Sequence, residues 1–290
     1  AGGAAAGLAA ANLKLPQAFG APMPPSGGKL GGRQFGRTLI DYIRVYDAPD
    51  FGARQVAWYG FDEVLAIYGE QEGSKLAGRL NSTWVETHAG WIHSMNIQPV
   101  QYLFNPIVRE FPENGCLGEI TVPYVDAHWY IDKPRFLSYR LYFGSVMWVQ
   151  GLEIRPDDGT PMYRLYDERI GLTYYVPATH VRIIAPEEVQ PIRPEGQDKR
   201  IVVDLNAQDL RCFEGETEVF HTYVSGGRFR SADAASEDGE LTLSPEGRFR
   251  IIRKKPSRHM GGGFQAGTYE LPGVPWVAYY ATGGYAIHGA

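Results

Sequence analysis

A thiol reacts as its thiolate, so it needs a neighbouring base or cation, and this chain offers two cysteines, Cys116 and Cys212. They lie far apart in sequence, without C-x-x-C or metal-ligand spacing, and define neither a disulfide framework nor a zinc site. Cys212 sits in "DLRCFEG", inside an alternating strand pattern before a turn, and reads as a structural thiol. Neither cysteine is expected to be catalytic. The histidine of most interest is His288, which ends a strand-like run in "GGYAIHGA" and is followed by Gly289. An imidazole at a strand end can act as a general base or as the imidazolium partner of a thiolate; taken alone it more often just ends a strand. A second group lies in "KKPSRHMGGG", Lys254 to Gly263, which reads as an exposed polar loop. There Arg258 and His259 could meet a carboxylate, a guanidinium doing so through two hydrogen bonds.

The rest of the chain sets the stage for these groups. Its 290 residues suffice for two or three domains with ordinary cores. The 35 Gly and 20 Pro, with 6 Trp, 18 Tyr and 13 Phe, fit many short strands joined by turns better than long helices. A net charge of -5 argues against nucleic acid, whose phosphates need a clustered positive field. One basic run, "RFRIIRKKPSRH" (Arg248 to His259), is either a guarded strand edge or a rim for an acidic substrate. Residues 1–32 read as the remnant of an export signal, rich in Ala, Gly and Leu, followed by a Pro/Gly linker. Nothing later approaches the roughly 18 apolar residues of a membrane span. The expected location is therefore the periplasm, cell wall or extracellular face, with no integral membrane segment after signal removal.

From Thr38 onward, strands of four to six residues alternate with turns. Residues 33–102 are expected to form a small barrel. The hairpin "WVETHAGWIHS" resembles the closing hairpin of bacterial SH3-like domains, in which Trp84 and Trp91 would either line a groove or fill the core. Residues 103–194 are expected to form a second such module, and "IQPV" at Ile97 to Val100 is echoed by "VQPI" at Val189 to Ile192. The charged segment "RPEGQDKR", Arg193 to Arg200, marks a boundary.

After that boundary, Ile201 to Leu205, Asp209 to Phe213 and Val219 to Val224 form a β-meander by pattern alone. Residues 195–290 resemble the catalytic domain of the L,D-transpeptidases, through Ile201, Val203, Asp204, Leu205, Gln208, Leu210, Val224, Ser225 and Gly227 in the meander. "SPEGRFRI" (Ser244 to Ile251) and "YELPGVPWVAYYATGGYAIHGA" (Tyr269 to Ala290) extend the likeness in order. The resemblance implies an all-β fold: one or two SH3-like barrel modules, then a partial transpeptidase β-sandwich or meander domain. It implies an exported acyltransferase that cross-links peptidoglycan stem peptides through a cysteine acyl-enzyme, without metal or cofactor, and is inhibited by β-lactams of the carbapenem type. His288 and Gly289 take the catalytic positions; Arg258, His259, Trp276, Tyr280 and Tyr285 fall where substrate binds.

The family's [ST]-H-G-C segment, with the nucleophile, does not occur in these 290 residues. The expectation is a catalytic domain cut short before its cysteine, hence an inactive chain; the alternative is a non-catalytic peptidoglycan-binding cell-wall protein. Coding sequence read past Ala290 is expected to show a cysteine preceded by His-Gly shortly downstream, whereas a stop codon there would sink the enzyme reading.

Overall fold

The computed structural model describes residues 34–76, 81–133, 137–226, 244–261 and 270–289. The expected export remnant and linker lie outside the described residues, as does Gly227. Every regular element described is a strand, apart from short 3-10 turns at Ser94–Asn96, Ala178–His180 and Pro186–Val189, so the all-β expectation holds. No helix among the described residues is long and apolar enough to cross a membrane. Two compact units divide between Leu103 and Phe104.

The first unit contains β1 (Gln34–Thr38), β2 (Ile43–Tyr46), β3 (Gln55–Tyr59), β4 (Val64–Ile67), β5 (Gly69–Glu72), β6 (Thr83–Thr87), β7 (Gly90–His93) and β8 (Ile97–Val100). They form a five-stranded sheet in the order β3-β2-β7-β6-β5 and a three-stranded sheet β4-β1-β8. The expected barrel is not closed by hydrogen bonds among the described strands. Alternation decides which side chains enter the core. In β2, Ile43 and Val45 point inward and Arg44 outward, and Tyr59, Leu65, Ile67, Val85, Ile92 and Ile97 complete the cluster. Trp84 is fully buried against Tyr46, Phe51 and His93, and its indole N–H donates to the Ser74 carbonyl at 3.0 Å. Of the two expectations for Trp84, core is the one realised, while Trp91 is half-buried.

Arg37 on β1 enters this unit as a buried charge. Its guanidinium donates to Asp62 at 2.5 Å and to Gln98 at 2.8 and 3.0 Å. Buried charges persist only when paired and hydrogen-bonded, and this one joins β1 both to the turn before β4 and to β8.

The second unit contains β9 (Cys116–Ile120), β10 (Tyr124–His128), β11 (Leu137–Tyr142), β12 (Val146–Ile154), β13 (Pro161–Asp167), β14 (Leu172–Pro177) and β15 (Val181–Ile183), in a sheet ordered β11-β10-β14-β13-β12-β9-β15. The meander follows as β16 (Lys199–Asp204), β17 (Asp209–Glu214) and β18 (Thr217–Tyr223), paired in antiparallel register. Last come β19 (Arg253–Gly261), β20 (Glu270–Tyr279) and β21 (Ala286–Ile287). The echo between residues 97–100 and 189–192 does not extend to structure. Ile97–Val100 is a strand, whereas Val189 ends a 3-10 turn and no strand follows until Lys199.

Residues on the two sides of "RPEGQDKR" belong to the same unit. Here β19 and β20 pack on β11 and β12. Gly273 permits part of this approach: with φ +77°, its missing β-carbon would stand 3.0 Å from both Ser145 Cβ and Met147 Sδ.

Asp62 has φ +61°, a conformation Asn tolerates. Asp62→Asn should therefore remove charge without adding strain and lower the unfolding free energy of the first unit by about 3–5 kcal/mol, measured as a fall in its urea midpoint.

Candidate functional site

The end of the chain is held by its backbone. The antiparallel pair β20–β21 sets Ala278 opposite Ile287 and Tyr279 opposite Ala286, and the hairpin closes where the Tyr280 amide donates to the Tyr285 carbonyl at 3.1 Å. Beyond β21, the Gly289 amide donates to the Pro275 carbonyl at 2.9 Å. A β-carbon at Gly289 would lie 2.9 Å from Pro275 Cγ, so only glycine fits without moving a rigid ring. His288 is fixed between these two anchors. It is half-exposed, and its Nδ1 lies 2.8 Å from the carbonyl of Gly289.

Trp276 adjoins the same proline. It is 48% exposed and has φ +57° in the middle of β20, a left-handed conformation that a β-carbon disfavours. Strain of this kind costs about 1–3 kcal/mol and gathers at functional positions. Tyr280 packs edge-on against Phe249 at 5.3 Å and lies 6.5 Å from Tyr285, which is exposed at the hairpin. Trp276, His288 and Gly289 are thus gathered around Pro275, and Tyr280 with Tyr285 at the adjoining turn.

Arg258 stands on the neighbouring strand, opposite Val274 and next to the pairing of Ser257 with Pro275, and the setting of Arg258 and His259 corrects the loop expectation. Residues 253–261 are a strand, β19, and Gly262 and Gly263 lie outside the described residues. Three alternate residues of β19 reach the seven-stranded sheet: Lys255 pairs with Glu168, the Ser257 hydroxyl donates to the Val146 carbonyl, and His259 Nδ1 lies 2.6 Å from Asp167 Oδ2. The His259 side chain is 1% exposed, Tyr139 packs edge-on against its ring, and the adjoining cavity of about 10 Å³ has room for a water but not a stem peptide. His259 is therefore an anchor of β19 and does not face a loop's solvent. Arg258, beside it, is half-exposed.

Asp167 receives three donors besides any charge on the imidazole: the Tyr174 hydroxyl at 3.0 Å, the Arg169 amide at 2.9 Å and His259. Burial alone would push its carboxyl up. The hydrogen bonds from His259, the Arg169 amide and Tyr174 outweigh that and hold it below the ordinary carboxylate value. Sequence reasoning does not single out Asp167, the buried partner that anchors His259. The signal was present in β13, where Tyr163, Leu165 and Asp167 alternate inward, which puts a carboxylate in a core position.

Neither cysteine lies in a setting that yields a thiolate. Both are half-buried, and burial pushes both thiols up, the direction opposite to that which yields a thiolate. Cys116 sits on β9 and Cys212 on β17, within the meander. No group of three or more His, Cys, Asp or Glu among the described residues could hold a metal ion.

Residues 198–290 match the family model of the L,D-transpeptidase catalytic domain. The match covers the meander, β19 and the hairpin that carries His288, and the activity of that family is acyl transfer on peptidoglycan. No curated protein matches the chain.

A depressed carboxyl pKa contributes stability that is complete above its unfolded value and is lost as pH falls through the folded value. Asp167→Asn should thus flatten the loss of thermal stability on acidification from pH 4 downward, about where an unfolded carboxyl titrates, while lowering stability at neutral pH. An unchanged acid limb would show that Asp167 is not the group responsible.

Proposed function

We propose that residues 198–290 are catalytic-domain sequence of an exported L,D-transpeptidase that joins peptidoglycan stem peptides through a cysteine acyl-enzyme. The observation that carries this reading is the fixed position of His288. It lies inside the matched segment, at a strand end clamped by Pro275, with a strained and exposed Trp276 beside the clamp.

In the proposed mechanism the thiolate attacks the carbonyl carbon of a stem-peptide bond, forming a tetrahedral intermediate that collapses to a thioester as the amine leaves. The amine of a second stem peptide then attacks the thioester and restores the thiol. His288 takes the thiol proton and supplies one to the departing amine. Holding the imidazole by its flanking backbone leaves the ring to face the reacting sulfur without reorganisation. The nucleophile belongs to the family's [ST]-H-G-C segment and is neither Cys116 nor Cys212, so the 290 residues alone do not turn over. Trp276, with Tyr280 and Tyr285 at the neighbouring turn, offers apolar ring surface to the stem, and Arg258 a charge for one of its carboxylates. β-Lactams of the carbapenem type would acylate the same thiol. This chemistry needs neither metal nor organic cofactor, and its substrate lies outside the cytoplasm.

Two variants of a chain that includes the cysteine segment test this reading on disaccharide-tetrapeptide muropeptides. His288→Ala should cut the rate of dimer formation by about 10²-fold or more, with the thiol still present by titration. Gly289→Ala should reduce it as well, because its β-carbon pushes His288 off the Pro275 clamp. Wild-type rates in His288→Ala, or dimer formation by the 290-residue chain, would overturn the assignment.

A further inference from the structure

An aromatic pair on the first unit contributes little to its core. Tyr42 and Trp58 stack with ring centroids 5.7 Å apart and planes 26° from parallel, yet they are 55% and 59% exposed. Single exposed aromatics are ordinary. This pair differs because the backbone is strained to present it: Tyr42 has φ +59°, a conformation that costs a residue with a β-carbon about 1–3 kcal/mol. The phenol is oriented too, since Gln55 Nε2 donates to the Tyr42 hydroxyl at 3.3 Å. Arg44 stands opposite Trp58 in the β2–β3 ladder, and Arg44, Gln55 and Asp41 are all exposed. The result is a flat apolar surface two rings wide with hydrogen-bonding groups of both kinds at its edge.

The chemistry of that surface selects among occupants. A pyranose ring has a face of C–H groups, which suits the electron-rich face of an aromatic ring, and an equator of hydroxyls, which suits a rim of amide, guanidinium and carboxylate. An anionic lipid surface or a nucleic acid calls for a basic rim. Here Asp41 lies next to Tyr42, Glu63 is exposed nearby in sequence, and the chain carries a net charge of -5.

We infer that Tyr42 and Trp58 form a carbohydrate platform that stacks the pyranose rings of a glycan strand. The choice of an N-acetylated amino-sugar glycan rests on the proposed function of residues 198–290; the stacking site itself does not.

The test uses the 290-residue chain and two probes: chitotetraose, a β-1,4-linked N-acetylglucosamine tetramer, followed by calorimetry, and peptidoglycan stripped of its stems by an amidase, followed by co-sedimentation. The wild-type chain should bind both. Trp58→Ala and Tyr42→Ala should each weaken binding about tenfold, the loss of one stacked ring, with unchanged melting because neither ring supports the core. Tyr42→Phe should keep most of the affinity. His288→Ala should leave it unchanged, so failure of the transpeptidase reading and failure of this one are told apart. The inference falls if the wild-type chain binds neither probe, or if Trp58→Ala binds both as well as wild type.

Discussion

A carboxylate and an imidazole withdrawn from water are tolerable only in each other's company. Asp167 and His259 meet that condition across two sheets, with Tyr174 and the Arg169 amide filling the remaining acceptor positions of the carboxylate. Much that follows in the second unit depends on this contact. It fixes β19 against the seven-stranded sheet, β19 fixes the register of β20, and β20 supplies the Pro275 carbonyl that holds Gly289 beside His288. A residue 92 positions from His259 in sequence thus bears on where the terminal imidazole stands. Removing either partner would leave the other as an uncompensated buried polar group, which makes the contact hard to dispense with even if its net contribution to stability is small.

Local pattern made much of this architecture legible. The meander was readable because β16, β17 and β18 alternate and are joined by turn residues, and because its pairing is between sequence neighbours. Trp84 was readable only as a choice between groove and core. What decided it was enclosure by Phe51, Tyr46 and His93, three residues from other segments. The error over Lys254 to Gly263 has a related cause. Its Lys, Pro, Ser and Gly content describes a loop, but Lys255, Ser257 and His259 find polar partners on another sheet, so a polar sequence can form a packed strand. Sequence spacing does not carry that information, because the partners belong to β12, β13 and the turn after it.

The expected barrel shows the same limit from the other direction. Five short strands between Ile43 and His93 were there to be read, but β1, β5 and β8 were not, and the order in two sheets, β3-β2-β7-β6-β5 and β4-β1-β8, depends on long-range pairings such as β1 with β8. The buried Arg37, gripping Asp62 and Gln98, sits on this connection, and nothing in "QFGRT" distinguishes it from a surface arginine.

Tyr42 and Trp276 share an uncommon property: each is an exposed aromatic residue on left-handed backbone. Glycine occupies that conformation freely, and the strain relieved, about 1–3 kcal/mol, exceeds the roughly 0.5–1 kcal/mol that glycine's extra freedom in the unfolded chain takes back. A screen for heat resistance would therefore favour glycine at both sites and discard both rings. In this molecule, the positions easiest to improve for durability are the ones that carry the rings we propose for binding glycan and stem peptide.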